Sequence, residues 1–312
     1  MPAPDPEKTD PGTTGEMTTR DFKDLRASGE SAGTSHIIGS GFVAAREVVA
    51  AILIRLGITP NILSFVGFLF TCGAGYCLAR GASQQLAYFY SGAGPVGWWP
   101  LWAAVMLILS GACDMLDGAV ARQGRMSSSF GAILDSSLDR FSDMAIYLGC
   151  ALHFAMSGNL TYQFLALIAM CNAFLISYIK ARAEEIIEDC GVGYWLRGER
   201  FAAILIACLC GHVPAVLWQQ AILPAFTVWR RLRHAYLSAQ ALDGHGKKPR
   251  SGPAPGWRGW VQFGRHPRGS LTYDLVTGLN IAYIIFAARI WPELLALGKW
   301  ADPLGRLLGH DR

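Results

Sequence analysis

The chain has 312 residues, of which 52% are hydrophobic and 16% charged, and its formal net charge is +4. Its mean hydropathy of +0.29 excludes an ordinary soluble domain and is typical of a protein that crosses the membrane several times. The eight cysteines lie singly, mostly within apolar runs, and have no metal-binding C-x-x-C spacing. We therefore expect small buried apolar side chains at these positions and no disulfide framework.

The N-terminal segment is predicted to contain a disordered tail followed by a helix. Residues 1–35 are rich in Pro, Gly, Ser, Thr and charge, and they cannot bury enough apolar surface to offset the entropy lost on ordering. Between Ile37 and Leu56, apolar residues recur at helical spacing with charged residues among them. This pattern predicts an amphipathic helix that lies in the membrane interface.

Apolar runs after this helix predict the transmembrane segments. Thr59-Pro60-Asn61 marks the start of the first, because proline is favoured in the first turn of a helix. Four runs are long enough to span, at about 62–78, 97–116, 130–156 and 162–179. The next run, 201–228, is long for one helix, short for two, and interrupted by Gly211-His212-Val213-Pro214.

The distribution of basic residues decides how often this last run crosses. Arginines and lysines follow the second span, the fourth span and residue 228, whereas the alternate loops carry almost none. The positive-inside rule places every basic loop in the cytoplasm only if 201–228 crosses twice. The sequence thus predicts an all-α integral membrane protein with six transmembrane helices preceded by an amphipathic interfacial helix. Both ends and the active site would face the cytoplasm, at the inner (plasma) membrane.

The C-terminal segment differs in composition from the rest. Residues 243–270 are rich in Gly, Pro and basic residues, which predicts a linker over the membrane surface. Residues 275–287 are apolar but too few to span, so we expect a surface or packing helix and not a seventh span. The predicted organisation is a tail (1–35), a membrane domain (36–240) and a C-terminal segment (241–312) that is dispensable for chemistry.

Four carboxylates stand between the second and third predicted spans. Asp114 and Asp117 are at i, i+3, and Asp135 and Asp139 are at i, i+4, so each pair shares one helix face. A polar turn at 123–129 would bring the two pairs together. Four carboxylates at a membrane boundary repel one another unless a cation holds them, and oxygen ligands suit Mg²⁺, Mn²⁺ or Ca²⁺. The alternative, ordinary solvated charges at helix ends, does not account for the pattern around them.

That pattern reads D-x-x-D-G-x-x-A-R, eight residues, then G-x-x-x-D-x-x-x-D. It resembles the signature of the CDP-alcohol phosphatidyltransferase family at every position. The resemblance implies that the four aspartates hold two Mg²⁺ or Mn²⁺ ions, and that Asp139 is a ligand or the general base. Glycines let a nucleotide diphosphate approach the backbone. Thr59-Pro60-Asn61 also resembles a T-P-N element of the family at the start of the first span. The implied site for the nucleotide of the lipid donor comprises Thr59, Pro60, Asn61, Gly118, Arg122 and Gly131.

A second resemblance concerns the acceptor. The stretches 177–184 and 197–200 are similar to those of actinobacterial phosphatidylinositol-phosphate synthases, although Gly198 stands where these carry proline. The similarity ends near residue 240. It implies binding of the acceptor's phosphate by Lys180, Arg182, Arg197, Arg200 and Arg231. Arginine's planar fork suits phosphate, but these residues could also be topology signals or contacts for anionic lipids. Asp143, outside the signature, is interpreted as a solvated or paired charge.

The predicted function is transfer of a phosphatidyl group from CDP-diacylglycerol to a phosphorylated polyol, with release of CMP. Inositol 1-phosphate is the favoured acceptor and glycerol 3-phosphate the alternative. The resemblance implies a homodimer among membrane lipids, and we expect no nucleic-acid partner. Membrane prenyltransferases also hold Mg²⁺ with aspartates, but in two separated motifs. A cation transporter would leave Gly118, Arg122, Gly131 and the T-P-N element without a role.

Overall fold

The computed structural model describes residues 34–89, 94–244, 271–290, 292 and 302–308. Nearly all of the predicted disordered tail (1–35), and the predicted linker from residue 245 onward, lie outside the described residues. The chain divides into two compact units, residues 1–48 and 49–312. The first helix begins in the smaller unit, and the fold described below is that of the larger one.

The regular elements of the described ranges are helices, apart from a single bridge between Gln85 and Val96. In chain order they are α1 (Thr34–Arg55), α2 (Pro60–Gly81), a short 3₁₀ turn (Ala87–Phe89), α3 (Trp99–Gln123), α4 (Ser129–Met156), α5 (Leu160–Ala183), α6 (Arg197–Cys210), α7 (Val213–Leu242), α8 (Leu271–Ile290) and α9 (Pro303–Leu307). The all-α prediction is confirmed for these ranges.

Local sequence explains where the helices begin. Proline occupies the first turn of α2, α3 and α7, where its missing N–H costs no hydrogen bond. Ser128 caps α4 by accepting a hydrogen bond from the backbone N–H of Gly131, and Asn159 caps α5 by accepting one from Tyr162. These caps fix the short turns between α3 and α4 and between α4 and α5.

Small residues allow the helices to pack closely. Helix α2 packs against α3 and α4, α5 packs against α4 and α7, and α6 packs against α3, α7 and α8. A Cβ atom on Gly149 of α4 would overlap the carbonyl group of Gly75 on α2, so the backbones touch at this crossing. This crossing fixes α4 against α2, and α2 in turn packs against α3, which contacts α6.

The ambiguous apolar run forms two helices. Gly211 ends α6 with a left-handed φ of +71°, and α7 begins two residues later at Val213. The division is uneven, since α6 has 14 residues and α7 has 30. Among the described residues, α2, α3 and α5 are long and apolar enough to cross a membrane. Helix α4 is not among them, and it carries four charged residues, Asp135, Asp139, Arg140 and Asp143.

The C-terminal segment contributes to the fold. Helix α8 packs against α6 and α7, and Ile284 is fully buried in the main core. Helix α9 lies at the start of α5, where Asp302 Oδ1 accepts hydrogen bonds from the backbone N–H (2.9 Å) and the hydroxyl (2.6 Å) of Thr161. The apolar residues 275–287 thus lie in a helix that packs against α6 and α7.

Candidate active site

Three of the four signature aspartates converge where α3 and α4 face each other. Asp114, Asp135 and Asp139 each offer a carboxylate oxygen, and these oxygens lie within 4.8 Å of one another. Helix α3 supplies Asp114, and the first three turns of α4 supply the other two at the predicted i, i+4 spacing. A close set of oxygen donors carrying like charges suits a hard divalent cation, so the residues present fit such a metal.

Asp117, the fourth signature aspartate, lies outside this group. Its Oδ2 accepts a hydrogen bond of 2.7 Å from the hydroxyl of Ser64 on α2. Sequence reasoning missed Ser64, although it stands three residues after Asn61 and so shares a helix face with the T-P-N element. The hydrogen bond links the start of α2 to the carboxylate group on α3.

Arg197 neutralises part of the carboxylate cluster. It is the first residue of α6, and its guanidinium bridges two helices, with Nη1 3.1 Å from Asp114 Oδ1 and Nη2 2.7 Å from Asp139 Oδ1. A cation at a helix N-terminus is disfavoured by the helix dipole, so these carboxylates offset an unfavourable position. The resemblance assigned Arg197 to the acceptor's phosphate, and the structure places it directly beside the proposed base.

Arg200 forms a buried ion pair one turn further along α6. Its Nη2 lies 2.6 Å from Asp143 Oδ2, and its Nη1 donates to the backbone carbonyl of Trp195 at 3.2 Å. The residue is only 1% exposed. A buried charge persists only when it is paired and hydrogen-bonded, and both conditions are met. Asp143, one helix turn beyond Asp139, is therefore a paired charge.

The three remaining basic residues occupy two environments. Arg231 is buried on α7, and its Nε donates to the backbone carbonyl of Val192 at 3.0 Å while Nη1 donates to that of Ile176. Arg231 and Arg200 thus both hold the loop between α5 and α6. By contrast, the exposed side chains of Lys180 and Arg182 form ion pairs with Glu184 and Glu185, respectively, at the end of α5.

Four of the residues implied to bind the nucleotide form two neighbouring pairs. Gly131 faces Asn61, because a Cβ atom on Gly131 would lie 3.2 Å from Asn61 Oδ1. Gly118 faces Arg122 in the same way, at 3.3 Å from Nη1. A Cβ atom at either glycine would require the polar group opposite to shift by a few tenths of an ångström. Thr59 and Pro60 are the N-cap and first residue of α2, next to Asn61.

The sequence model of the CDP-alcohol phosphatidyltransferase family matches residues 57–230, more than half of the chain and all signature positions. The protein belongs to this family. It is therefore an enzyme of the CDP-alcohol phosphatidyltransferase type, and the resemblance read from the signature is confirmed. Residues 241–312, including α8 and α9, lie outside the match.

Relatives within this family share most of their length with the chain. It is 31% identical over 201 residues to the archaetidylinositol phosphate synthase of Methanothermobacter thermautotrophicus, covering 60% of this chain and 92% of the relative. It is 33% identical over 171 residues to the phosphatidylinositol phosphate synthase of Cutibacterium acnes, covering 54% and 74%. The crystal structure of Mycobacterium tuberculosis phosphatidylinositol phosphate synthase with CDP-DAG bound has the same fold. For this pair the TM-score is 0.52 and the identity 24%, over 61% of this chain and 93% of that one.

Proposed function

We propose that this enzyme transfers a phosphatidyl group from CDP-diacylglycerol to inositol 1-phosphate and releases CMP. The observation that carries the proposal is the convergence of Asp114, Asp135 and Asp139, at signature positions of the family, within 4.8 Å of one another. The acceptor is supported by the relatives, which are named for phosphatidylinositol phosphate or archaetidylinositol phosphate synthesis.

A divalent cation is the cofactor that these residues would hold. The carboxylate group supports a divalent metal, and so does a second crystal structure of the Mycobacterium tuberculosis synthase, which is in complex with manganese and citrate. We propose two ions, Mg²⁺ or Mn²⁺, held by Asp114, Asp135 and Asp139, with Asp117 as the fourth ligand. Such ions neutralise a diphosphate and stabilise the attacking and leaving oxygens.

Asp139 is the residue that would accept the proton of the attacking hydroxyl. The hydroxyl oxygen attacks the phosphorus that bears diacylglycerol, a new P–O bond forms there, and the bond to the CMP oxygen breaks. Arg197, 2.7 Å from Asp139, stands where its fork could hold the acceptor's phosphate while the hydroxyl meets the base. Asn61, Gly118, Arg122 and Gly131 would orient the nucleotide.

We further propose that the protein crosses the inner membrane six times, as α2–α7, with α1 in the interface and the active site facing the cytoplasm. The lengths of α2, α3 and α5 support crossing. The basic residues at the ends of α3 and α5, and those at 230–233 within α7, support the orientation. A homodimer is proposed by analogy with the family.

The deciding experiment supplies the purified protein with CDP-diacylglycerol, Mn²⁺ and one acceptor at a time, and identifies the lipid product by mass spectrometry. We expect CMP release with inositol 1-phosphate, and a far lower kcat/KM with free inositol. If the enzyme prefers glycerol 3-phosphate, the proposed acceptor is wrong but the proposed phosphatidyl transfer stands. Preference for a free polyol would remove the phosphate-binding role of the basic residues.

A further inference from the structure

Helix α8, which lies outside the family match, contacts the first turn of α6 through its side chains. The hydroxyl of Tyr273 donates a hydrogen bond of 2.7 Å to Glu199 Oε1. A second bond joins α8 to the loop that precedes α6, from the hydroxyl of Tyr194 to Thr277 Oγ1 at 2.9 Å. The ring centroids of Tyr194 and Tyr273 are 5.5 Å apart, so the two bonds belong to one contact region.

Glu199 lies between the two arginines of the active site. Arg197 bridges Asp114 and Asp139, and Arg200 pairs with Asp143, so both act from the same helix turn as Glu199. The first turn of a helix has backbone N–H groups without intrahelical partners and is the part that frays most readily. A bond to Glu199 therefore restrains the turn that carries both arginines.

Apolar as well as polar contacts join α6 and α8 at this point, because Tyr273 and Val276 pack against the main core. A cavity of about 200 Å³ lies beside these contacts, and Tyr194, Glu199, Tyr273 and Thr277 are among its lining residues. The other half of α8 is firmly held, because Ile284 is buried and its carbonyl lies 2.7 Å from His212 Nδ1. Tyr273 thus connects the firmly packed helix α8 to Glu199 at the edge of the cavity.

We propose that Tyr273 is a positioning residue, which through Glu199 holds the first turn of α6 and thereby sets Arg197 and Arg200 against their aspartates. As a statement about acceptor binding, this inference rests on the proposed function. It assigns α8 to the support of the active site, in contrast to the expectation from sequence that the segment after residue 240 is dispensable for chemistry.

The test compares two identical changes on one helix. Tyr273→Phe removes only the hydroxyl that donates to Glu199. Tyr283→Phe removes a hydroxyl of α8 that donates to the carbonyl of Ala215, at 3.2 Å and away from the active site. With the full-length protein, we expect Tyr273→Phe to raise the KM for inositol 1-phosphate about threefold to tenfold and to leave that for CDP-diacylglycerol within about twofold. Tyr283→Phe should leave both unchanged. Equal KM values in the two variants would overturn the proposal.

A double-mutant cycle tests whether Tyr273 acts through Glu199. In a Glu199→Ala background, Tyr273→Phe should have no further effect on the acceptor KM, whereas additive effects would contradict the mechanism. Hydrogen exchange of residues 196–201 gives a readout that needs no activity. We expect faster exchange in Tyr273→Phe than in Tyr283→Phe, and unchanged exchange would refute the positioning role even if the enzyme used another acceptor.

Discussion

Arg197 Nη2 lies 2.7 Å from Asp139 Oδ1, so the first residue of α6 contacts the third turn of α4. A proposed phosphate-binding group and a proposed general base are thus in direct contact. An acceptor that carries its phosphate and its reactive hydroxyl a few atoms apart could engage both at once. This relationship favours a small phosphorylated polyol over a free one.

The three clustered aspartates should be indispensable. Asp114→Asn, Asp135→Asn and Asp139→Asn should each lower kcat by about 10²–10⁴-fold, because each removes a charge from the cluster or the proton acceptor. CMP release measures turnover, and Mn²⁺ binding by electron paramagnetic resonance measures the metal site. As a control, Asp189→Asn in the α5–α6 loop should stay within about twofold of the unchanged protein. Near-normal turnover in any of the three variants would remove that residue from the site.

Ser64 should affect turnover through the orientation of Asp117, with a smaller effect than the loss of the carboxylate itself. Ser64→Ala removes the hydroxyl that lies 2.7 Å from Asp117 Oδ2 and leaves the carboxylate in place. We expect a loss in kcat of about threefold to tenfold, the size of one misplaced hydrogen bond, against a far larger loss in Asp117→Asn. Equal losses in both variants would show that Ser64 has a function of its own.

Arg197 should make the stability of the protein depend less on divalent metal. Among the described residues, Arg197 has the one guanidinium that bridges Asp114 and Asp139. In Arg197→Ala the repulsion between these two carboxylates is therefore no longer compensated. The difference in Tm between Mn²⁺ and EDTA should therefore widen by a few degrees, because a bound ion then supplies the missing positive charge. Arg182→Ala, which breaks an exposed pair with Glu185, is the matched control. An unchanged difference would mean that Arg197 does not compensate the cluster.

The buried pair of Arg200 and Asp143 should be needed for folding as a pair. Arg200→Ala leaves Asp143 without its partner, and breaking a buried pair costs about 3–5 kcal/mol, so we expect little folded protein. The double variant Arg200→Met, Asp143→Leu should recover much of the stability. In that variant the acceptor KM should be about ten- to a hundredfold higher if Arg200 also binds phosphate. A normal KM would restrict Arg200 to a structural role.

Two truncated chains should show whether the C-terminal helices affect acceptor binding and stability without being needed for phosphatidyl transfer. A chain ending at Gly244 loses α8 and Tyr273, so it should release CMP with a raised acceptor KM and a lowered Tm. A chain ending at Ile290 keeps α8 and Tyr273 and loses residues 291–312, α9 among them, so its acceptor KM should stay normal. Wild-type KM and Tm in the shorter chain would show that α8 has no part in the active site.

The sequence by itself determined everything that depends on near neighbours along the chain. The i, i+4 spacing puts Asp135 and Asp139 on one helix face. Proline, serine and asparagine fix the starts of the helices. The break at Gly211 was also visible, because glycine tolerates a left-handed backbone that ends a helix. The family signature needed no more than these local patterns.

Only the tertiary structure decided which distant residues meet. The bonds of Asp117 to Ser64, Arg197 to Asp139 and Arg200 to Asp143 each join two helices. Helix period fixes the face on which a residue lies, but not the crossing angle or register that selects its partner on another helix. The hydrogen bond of Tyr273 to Glu199 shows this most clearly, because α8 carries no family motif and yet contacts the first turn of α6.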